Sequence, residues 1–433
     1  MIPSLIVAGL TCVLMICGIL FFPRIKIGKI SVDSYWVIAL VGAIVAVALN
    51  LINVKELVGK MTKDTSVNPL KILVLFISMT ILSVFLDEAG FFGYLASKTL
   101  NLAKENQKKL FVCLYAIVSV LTVFTSNDII VLTFTPFICY FCKSAKINAV
   151  PYLVTEFIAA NTMSMSLIIG NPTNIYIASS YGISFSDYIK VMILPTVASF
   201  AVAFAVLYLL FRKELSKPAN ASCEEVKIEN KPLLVVGLAH LIVCTLILAI
   251  SSYINLEMWA VSFASVISLC ICSCVVSLIK RAKPKELLCC FKRAPWQLVP
   301  FVLSMFTIIL ALSENGFTDE VAKFLGTEHT VFRYGIASFL SANVINNIPM
   351  SVLFCPVISG LSGVAQTRAV YASIVGSNLG AYLTPIGALA GIMWSSMLKQ
   401  YEVRFSYLDF VKYGVLISVP TLTANLAVLS LII

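Results

Sequence analysis

Each half of this chain carries an apolar run that breaks at an Ile-Gly step and then resumes: NTMSMSLIIGNPTN from Asn161 to Asn174, and NLGAYLTPIGALAG from Asn378 to Gly391. The two align without a gap, so that Asn161 meets Asn378 and Ile169-Gly170 meets Ile386-Gly387, with a proline beside each break (Pro172, Pro385). A helix interrupted inside lipid frees backbone groups that hydrocarbon cannot satisfy. Such a break persists only where it faces protein, water or an ion. Two matched breaks therefore constrain the chain to an internally repeated membrane bundle and mark the breaks as the expected site of a transporter.

The bulk composition agrees, with 60% hydrophobic and 12% charged residues among 433 and a mean hydropathy of +0.97, too poor in charge for a soluble core. The net charge of +10 does not point to nucleic acid, because the Lys and Arg sit in short loops between apolar runs. Most of the thirteen cysteines lie inside apolar runs (Cys12, Cys17, Cys113, Cys244, Cys270, Cys272, Cys274), where a thiol packs as a small hydrophobe. The CxxC at Cys139 and Cys142 lacks a βαβ context and is read as packing. His240 and His329 are the only histidines, and no histidine-based metal site is expected. The first apolar run has no basic start and is read as a retained helix.

Runs of about twenty apolar residues, enough to cross a bilayer core, fall near 2–22, 32–53, 69–86, 150–180, 190–211, 232–252, 258–279, 297–312, 369–397 and 409–433. Two further apolar stretches are interrupted by polar residues, 109–142 at Thr125-Ser126-Asn127-Asp128 and 330–358 at Asn343 to Pro349, and each reads as a re-entrant helical hairpin. The order of spans, amphipathic stretch, hairpin, broken helix and last span occurs twice. The expected fold is thus an all-α polytopic membrane protein of two repeats, 1–211 and 232–433, joined by a cytoplasmic linker 212–231. Five crossings per repeat, an odd number, would place the repeats in opposite orientations. The sequon Asn220-Ala221-Ser222 carries no meaning in a cytoplasmic linker. Six basic residues in 280–293 put that loop inside; the misfit is 54–71, which the same trace places outside although it holds Lys55, Lys60, Lys63 and Lys71.

The tips and breaks supply a coherent set of groups: Ser126, Asn127 and Asp128; Asn171, Thr173 and Asn174; Asn346 and Asn347; Asn378; Thr384; and the backbone at Gly387. Hydroxyls, amide oxygens and unwound carbonyls suit a monovalent cation, and Na+ at Asn127, Asp128 and Asn347 is one arrangement. Half-helix N-termini suit an anion. Asp128 is the one acid expected at such depth, and an ionisable group there is a functional candidate; the alternative is that Asp128 and Asn347 cap the returning helices. Asp87, Glu88 and Glu314 are expected to be exposed at the start of amphipathic stretches. Glu156 is expected to snorkel from the start of the broken helix. Gly360, Gly363, Gly376 and Gly380 read as close packing rather than a phosphate cradle. No GxxxxGK[ST] occurs, so energy comes from an ion gradient or from a separate ATPase subunit. Without a nucleophile-base pair or HExxH, an enzyme is not indicated.

The runs Gly170 to Pro195, Asn346 to Pro349 and Gly376 to Trp394 resemble the arsenite-efflux ArsB branch of the ion transporter superfamily, which also holds citrate and dicarboxylate carriers and NhaD-type Na+/H+ antiporters. The resemblance spans both halves and implies inverted repeats with a scaffold and a moving part that carries both hairpins and both broken helices. It carries over Ser126 to Asp128, Asn171 to Asn174, Asn346-Asn347 and Thr384 to Gly387. Sodium-coupled dicarboxylate carriers show Ser-Asn-Thr at both tips, whereas this chain has Ser126-Asn127-Asp128 and Ile345-Asn346-Asn347, which favours a proton as the coupling ion. The expected function is secondary active transport by alternating access in the plasma membrane, without a cofactor. The leading substrate is a small inorganic or metalloid species such as arsenite or antimonite. Citrate or dicarboxylate transport, Na+/H+ exchange and a passive anion channel stay open, and the wider superfamily implies a homodimer.

Overall fold

In lipid a backbone satisfies its own N–H and C=O groups by forming helices, and apolar runs with few breakers do so here almost throughout. The exception to the all-α expectation is an antiparallel ribbon, Arg24–Ile27 with Ile30–Asp33, between the first two helices. The computed structural model describes residues 1–22, 24–27, 30–63, 68–102, 106–218, 227–228, 230–251 and 253–433. Among these, nine segments are long and apolar enough to cross a membrane. Much of the linker, the sequon included, lies outside the described residues.

The two halves share one element order. The first runs Ile2–Phe21, Ser34–Ala48, the short helix Val54–Thr62, Pro69–Glu88, Phe91–Leu102, the paired helices Gln107–Phe124 and Asn127–Ala145, the interrupted pair Val150–Met163 and Pro172–Ser180, and Phe185–Phe211. The second runs Lys231–Ile250, Met258–Ile279, the short helix Lys285–Arg293, Leu298–Glu314, Phe317–Leu325, the paired helices Thr330–Ile345 and Asn347–Ser359, the interrupted pair Gly363–Gly380 and Leu389–Gln400, and Tyr407–Ile432. The paired helices of each half meet at Ser126 and at Asn346, and the interrupted pairs are separated by 164–171 and by 381–388. The second span is shorter than the 32–53 run because the helix ends at Ala48, before Asn50 with φ of 53°.

Close packing inside each hairpin unit depends on small residues. A Cβ on Gly376 would lie 2.7 Å from the Phe339 amide nitrogen, and one on Gly380 would lie 3.0 Å from the Phe339 carbonyl, so the helices Thr330–Ile345 and Gly363–Gly380 approach backbone to backbone. Gly360 and Gly363 do not share this role. They flank an open turn, and Gly363 has φ of +56°, which glycine adopts without steric cost.

The acids at the ends of the long third helices are not exposed as expected. Arg293 on one short helix pairs with Asp87 at 2.7 Å and with Glu88, and Lys60 on the other short helix pairs with Glu314 at 3.1 Å. Each short helix thus ties to the other half. Asp87 also accepts the Thr133 hydroxyl at 2.9 Å, which leaves its side chain 10% exposed. Lys60 also pairs with Glu56 at 2.9 Å, and Lys71 with Glu257 at 2.6 Å. Residues 54–62 of the lysine-rich stretch thus form a short amphipathic helix, and Lys60 and Lys71 are paired with acids, which a count of basic residues in loops does not see.

Candidate functional site

The first hairpin turns through Thr125 and Ser126, both extended, and the return helix starts at Asn127. The Asn127 amide donates to the Asn161 side-chain oxygen at 2.9 Å, and Asn161 in turn donates to the Phe157 carbonyl at 2.8 Å. This ties the tip to the first interrupted helix. The Asn127 side-chain oxygen is buried and accepts no hydrogen bond among the described residues. Asp128 follows in the first helical turn, partly exposed, where the positive end of the helix dipole favours a carboxylate. It is not the cap: Ser126 holds that position and its hydroxyl makes no cap bond.

The second tip is closed on itself. Asn346, at φ of 72°, donates from its side chain to the Ile386 carbonyl at 2.8 Å and accepts the Ile348 amide at 3.3 Å. The Thr384 hydroxyl donates to the Asn343 side chain at 2.8 Å. A Cβ on Gly387 would stand 2.5 Å from the Gly380 carbonyl oxygen and 2.9 Å from the Asn343 side-chain oxygen, so the second break is packed against its own hairpin. Asn347 is buried, and the cap is Asn346 rather than Asn347.

The register of the tips differs from the pairing of the Asn residues by eye. Each return helix carries an internal proline, Pro136 and Pro356, and superposing these matches Ser126 with Asn346, Asn127 with Asn347 and Asp128 with Ile348. The acid thus has an apolar counterpart.

Asn171, Thr173, Asn174 and Asn378 form the joint between the halves. The Asn378 side-chain oxygen accepts Asn171 at 3.1 Å and Ser164 at 2.9 Å, while its amide donates to Asn174 at 2.6 Å. The Thr173 and Ser377 hydroxyls share a hydrogen bond at 2.6 Å. All of these side chains are buried. Asn174 also closes the first break by donating to the Ser164 carbonyl at 2.9 Å and the Leu167 carbonyl at 3.2 Å. These four residues are satisfied by protein, whereas the Asn127 oxygen at the first tip has no partner among the described residues. Asn161, Ser164, Asn343 and Ser377 belong to the same network and were not in the expected site set. The alignment of Asn161 with Asn378 was the available signal for the first of them.

A cavity of about 360 Å³ opens between Tyr176, Ser180 and Tyr181 after the first break, Cys355 of the second return helix, and Phe306 of Leu298–Glu314, with Lys60 at its wall. A small void of about 20 Å³ beside Pro172 and Ile348 is also lined by Tyr176. Tyr176 therefore stands between the open cavity and the first break.

The chain resembles known proteins along most of its length. An arsenical pump membrane protein of Yersinia enterocolitica is 26% identical over 369 residues, which cover 82% of this chain and 85% of that one. The arsenical pump membrane protein of Escherichia coli K12 is 25% identical over 372 residues, with 82% and 85% covered. In fold the chain is similar to the YdaH transporter of Alcanivorax borkumensis, described as having an unusual topology, with a TM-score of 0.59 over 99% of this chain and 98% of that one at 13% identity. Residues 30–376 match the citrate transporter family, CitMHS. The protein is thus a multi-pass membrane transporter and belongs to the CitMHS citrate transporter family.

Proposed function

We propose that this protein exports a small inorganic or metalloid species, arsenite or antimonite, in exchange for protons, by alternating access across the plasma membrane. The observation that carries the reading is the first tip, where the buried Asn127 oxygen accepts no hydrogen bond among the described residues and the partly exposed Asp128 stands next to it, while at the second tip Asn346 is engaged by the second break and the position matching Asp128 is the apolar Ile348. A partly exposed acid is suited to exchange a proton with the aqueous side, and a charge at depth costs several kcal/mol, on the order of what a coupling step uses. Relatives named arsenical pumps support the substrate. As(OH)₃ is neutral and presents hydroxyls that amides and hydroxyls can hold.

In this reading residues 1–211 and 232–433 are inverted repeats about the linker 212–231, and the hairpins and interrupted helices move together against the remaining helices. The citrate transporter family match favours a second reading, cation-coupled carboxylate transport at the same tips, with Na+ at Asn127, Asp128 and Asn347 in place of the proton.

The test is flux in proteoliposomes under an imposed pH gradient, with arsenite, citrate, succinate and sodium measured side by side and Asp128→Asn as the control. Arsenite movement driven by the gradient and lost in the variant is expected. Gradient-driven movement of citrate or sodium alone would replace the first reading with the second, and full pH-driven flux in Asp128→Asn would remove the role of Asp128.

A further inference from the structure

Glu156 does not lie at the membrane surface as a snorkelling side chain would. It sits midway along Val150–Met163 with no exposed area, and both its oxygens accept the hydroxyl of Thr135 on the first return helix, at 3.0 and 3.2 Å. No basic side chain among the described residues pairs with it. A carboxyl withdrawn from water without a counter-charge is among the costliest groups to bury.

The fold does not require that carboxyl. The register that matches Asn161 with Asn378 puts Ser373 opposite Glu156, and the register of Pro136 and Pro356 puts Cys355 opposite Thr135. Ser373 is equally buried and its hydroxyl has no hydrogen-bond partner among the described residues, so the second half has a small neutral residue in place of the carboxyl. The acid occurs only in the half that also carries Asp128.

Glu156 is also one step in a polar seam through an otherwise apolar interface. At the exposed end, the buried Gln107 side chain donates to the carbonyl of exposed Lys217 at 3.0 Å. Tyr152 donates to Gln107 at 2.6 Å. One turn further along the same helix, about 6 Å of rise, stands Glu156 with Thr135. Five residues beyond, about 7.5 Å, Asn161 accepts from Asn127 at the tip. Buried polar side chains thus recur along this helix from the surface near the linker to the unpartnered Asn127 oxygen of the first tip, with no hydrogen bond among the described residues joining Tyr152 to Glu156 or Glu156 to Asn161.

We infer that Glu156 is a second proton-binding site, which relays the coupling proton between the linker face and the first hairpin tip. The step is a proton transfer only: the carboxyl takes up one proton from the Gln107–Tyr152 side and releases it toward the tip, and no bond between heavy atoms changes. The inference rests on the proton-coupled reading above. The titratable groups on the elements packed against this helix leave Glu156 as the group available for the role. Cys139 of the return helix is a buried thiol. Tyr115 of the first arm donates to the Phe200 carbonyl, Tyr188 of Phe185–Phe211 to the Met165 carbonyl, and Tyr371 of Gly363–Gly380 to the Asp187 carbonyl. Lys108, Lys109 and Lys143 lie at exposed helix ends.

The experiment uses the full-length protein in proteoliposomes with arsenite and, in parallel, citrate as probes. Initial flux is measured over a range of pH on both sides for wild type, Glu156→Gln and Thr135→Val. Infrared difference spectra between acid and alkaline lipid films of the same samples report the carboxylic C=O stretch. The expected result is a loss of gradient-driven flux of about tenfold or more in Glu156→Gln, the ratio that one unit of pH gradient supplies. A pH-dependent carboxylic band should be absent in Glu156→Gln and displaced in frequency in Thr135→Val, which keeps the acid and removes its partner. A Glu156→Gln protein with the wild-type pH profile and the wild-type band would overturn the inference while leaving the proton-coupled reading in place. Should Glu156→Gln fail to fold, an unmoved band in Thr135→Val overturns it. Wild-type vesicles that move neither probe in response to a pH gradient would end both readings together.

Discussion

Asn171 donates to the side chain of Asn378 across 3.1 Å, which joins the break of the first interrupted helix to the unbroken part of the second. The two residues are 207 positions apart and both are buried. Hydrogen bonds between side chains at such a joint hold the interrupted helices as one body, because separating them would leave several amide and hydroxyl groups without partners in an apolar setting.

Replacing Asn378 by Ala should therefore be costly. The substitution removes the partners of the Asn171 amide and the Asn174 oxygen, while the Ser164 hydroxyl keeps the Asn161 carbonyl as its acceptor. A loss of about 3 kcal/mol is expected, read as a lowered thermal unfolding midpoint of the detergent-solubilised protein and a smaller monodisperse yield. An unchanged midpoint would mean that the joint does not hold the halves together.

The breaks themselves depend on glycine for space rather than for backbone conformation. A Cβ on Gly170 would run into the Ser164 carbonyl, the same group that accepts from Asn174, and a Cβ on Gly387 would meet the Gly380 carbonyl oxygen at 2.5 Å. Gly170→Ala and Gly387→Ala should each destabilise the protein by about 1–3 kcal/mol, the usual range for overpacking, and abolish transport by spreading the break. Gly360→Ala, where nothing lies within 4 Å, should do neither. Equal behaviour of the three variants in unfolding and flux assays would refute the argument from close approach.

The architecture was legible in the sequence because its signals are local. An apolar run ending at Ile-Gly with a neighbouring proline reports a broken helix whatever packs around it, and a polar tetrapeptide between two apolar arms reports a hairpin. What was not legible depends on partners distant in sequence. Asp87 reads as an exposed acid at a helix end until Arg293, 206 positions away, and Thr133 are seen beside it. Glu156 reads as a charge near a surface until Thr135 is found opposite it and the side chain is seen to be fully buried. The one-residue error in pairing the tips had a remedy in the sequence, since Pro136 and Pro356 set a register that the more conspicuous Asn pairs obscured.

Opposite orientation of the halves, as proposed above, would place the bases of the two hairpins on opposite faces. Lys146 ends the return helix of the first hairpin in a left-handed conformation and is exposed. Gly360 ends the corresponding helix of the second and has open space around it. Single cysteines at these positions, in a background where exposed Cys274 and Cys289 are replaced by Ser, should react with a membrane-impermeant maleimide from opposite sides: Lys146→Cys only in inside-out vesicles and Gly360→Cys only in right-side-out cells. Neither substitution removes a side-chain contact from the core, so expression should match the parent and labelling yields should compare directly. Reaction of both from the same side would exclude the inverted repeat and, with it, a cycle in which the hairpins and interrupted helices move together between two oppositely facing states.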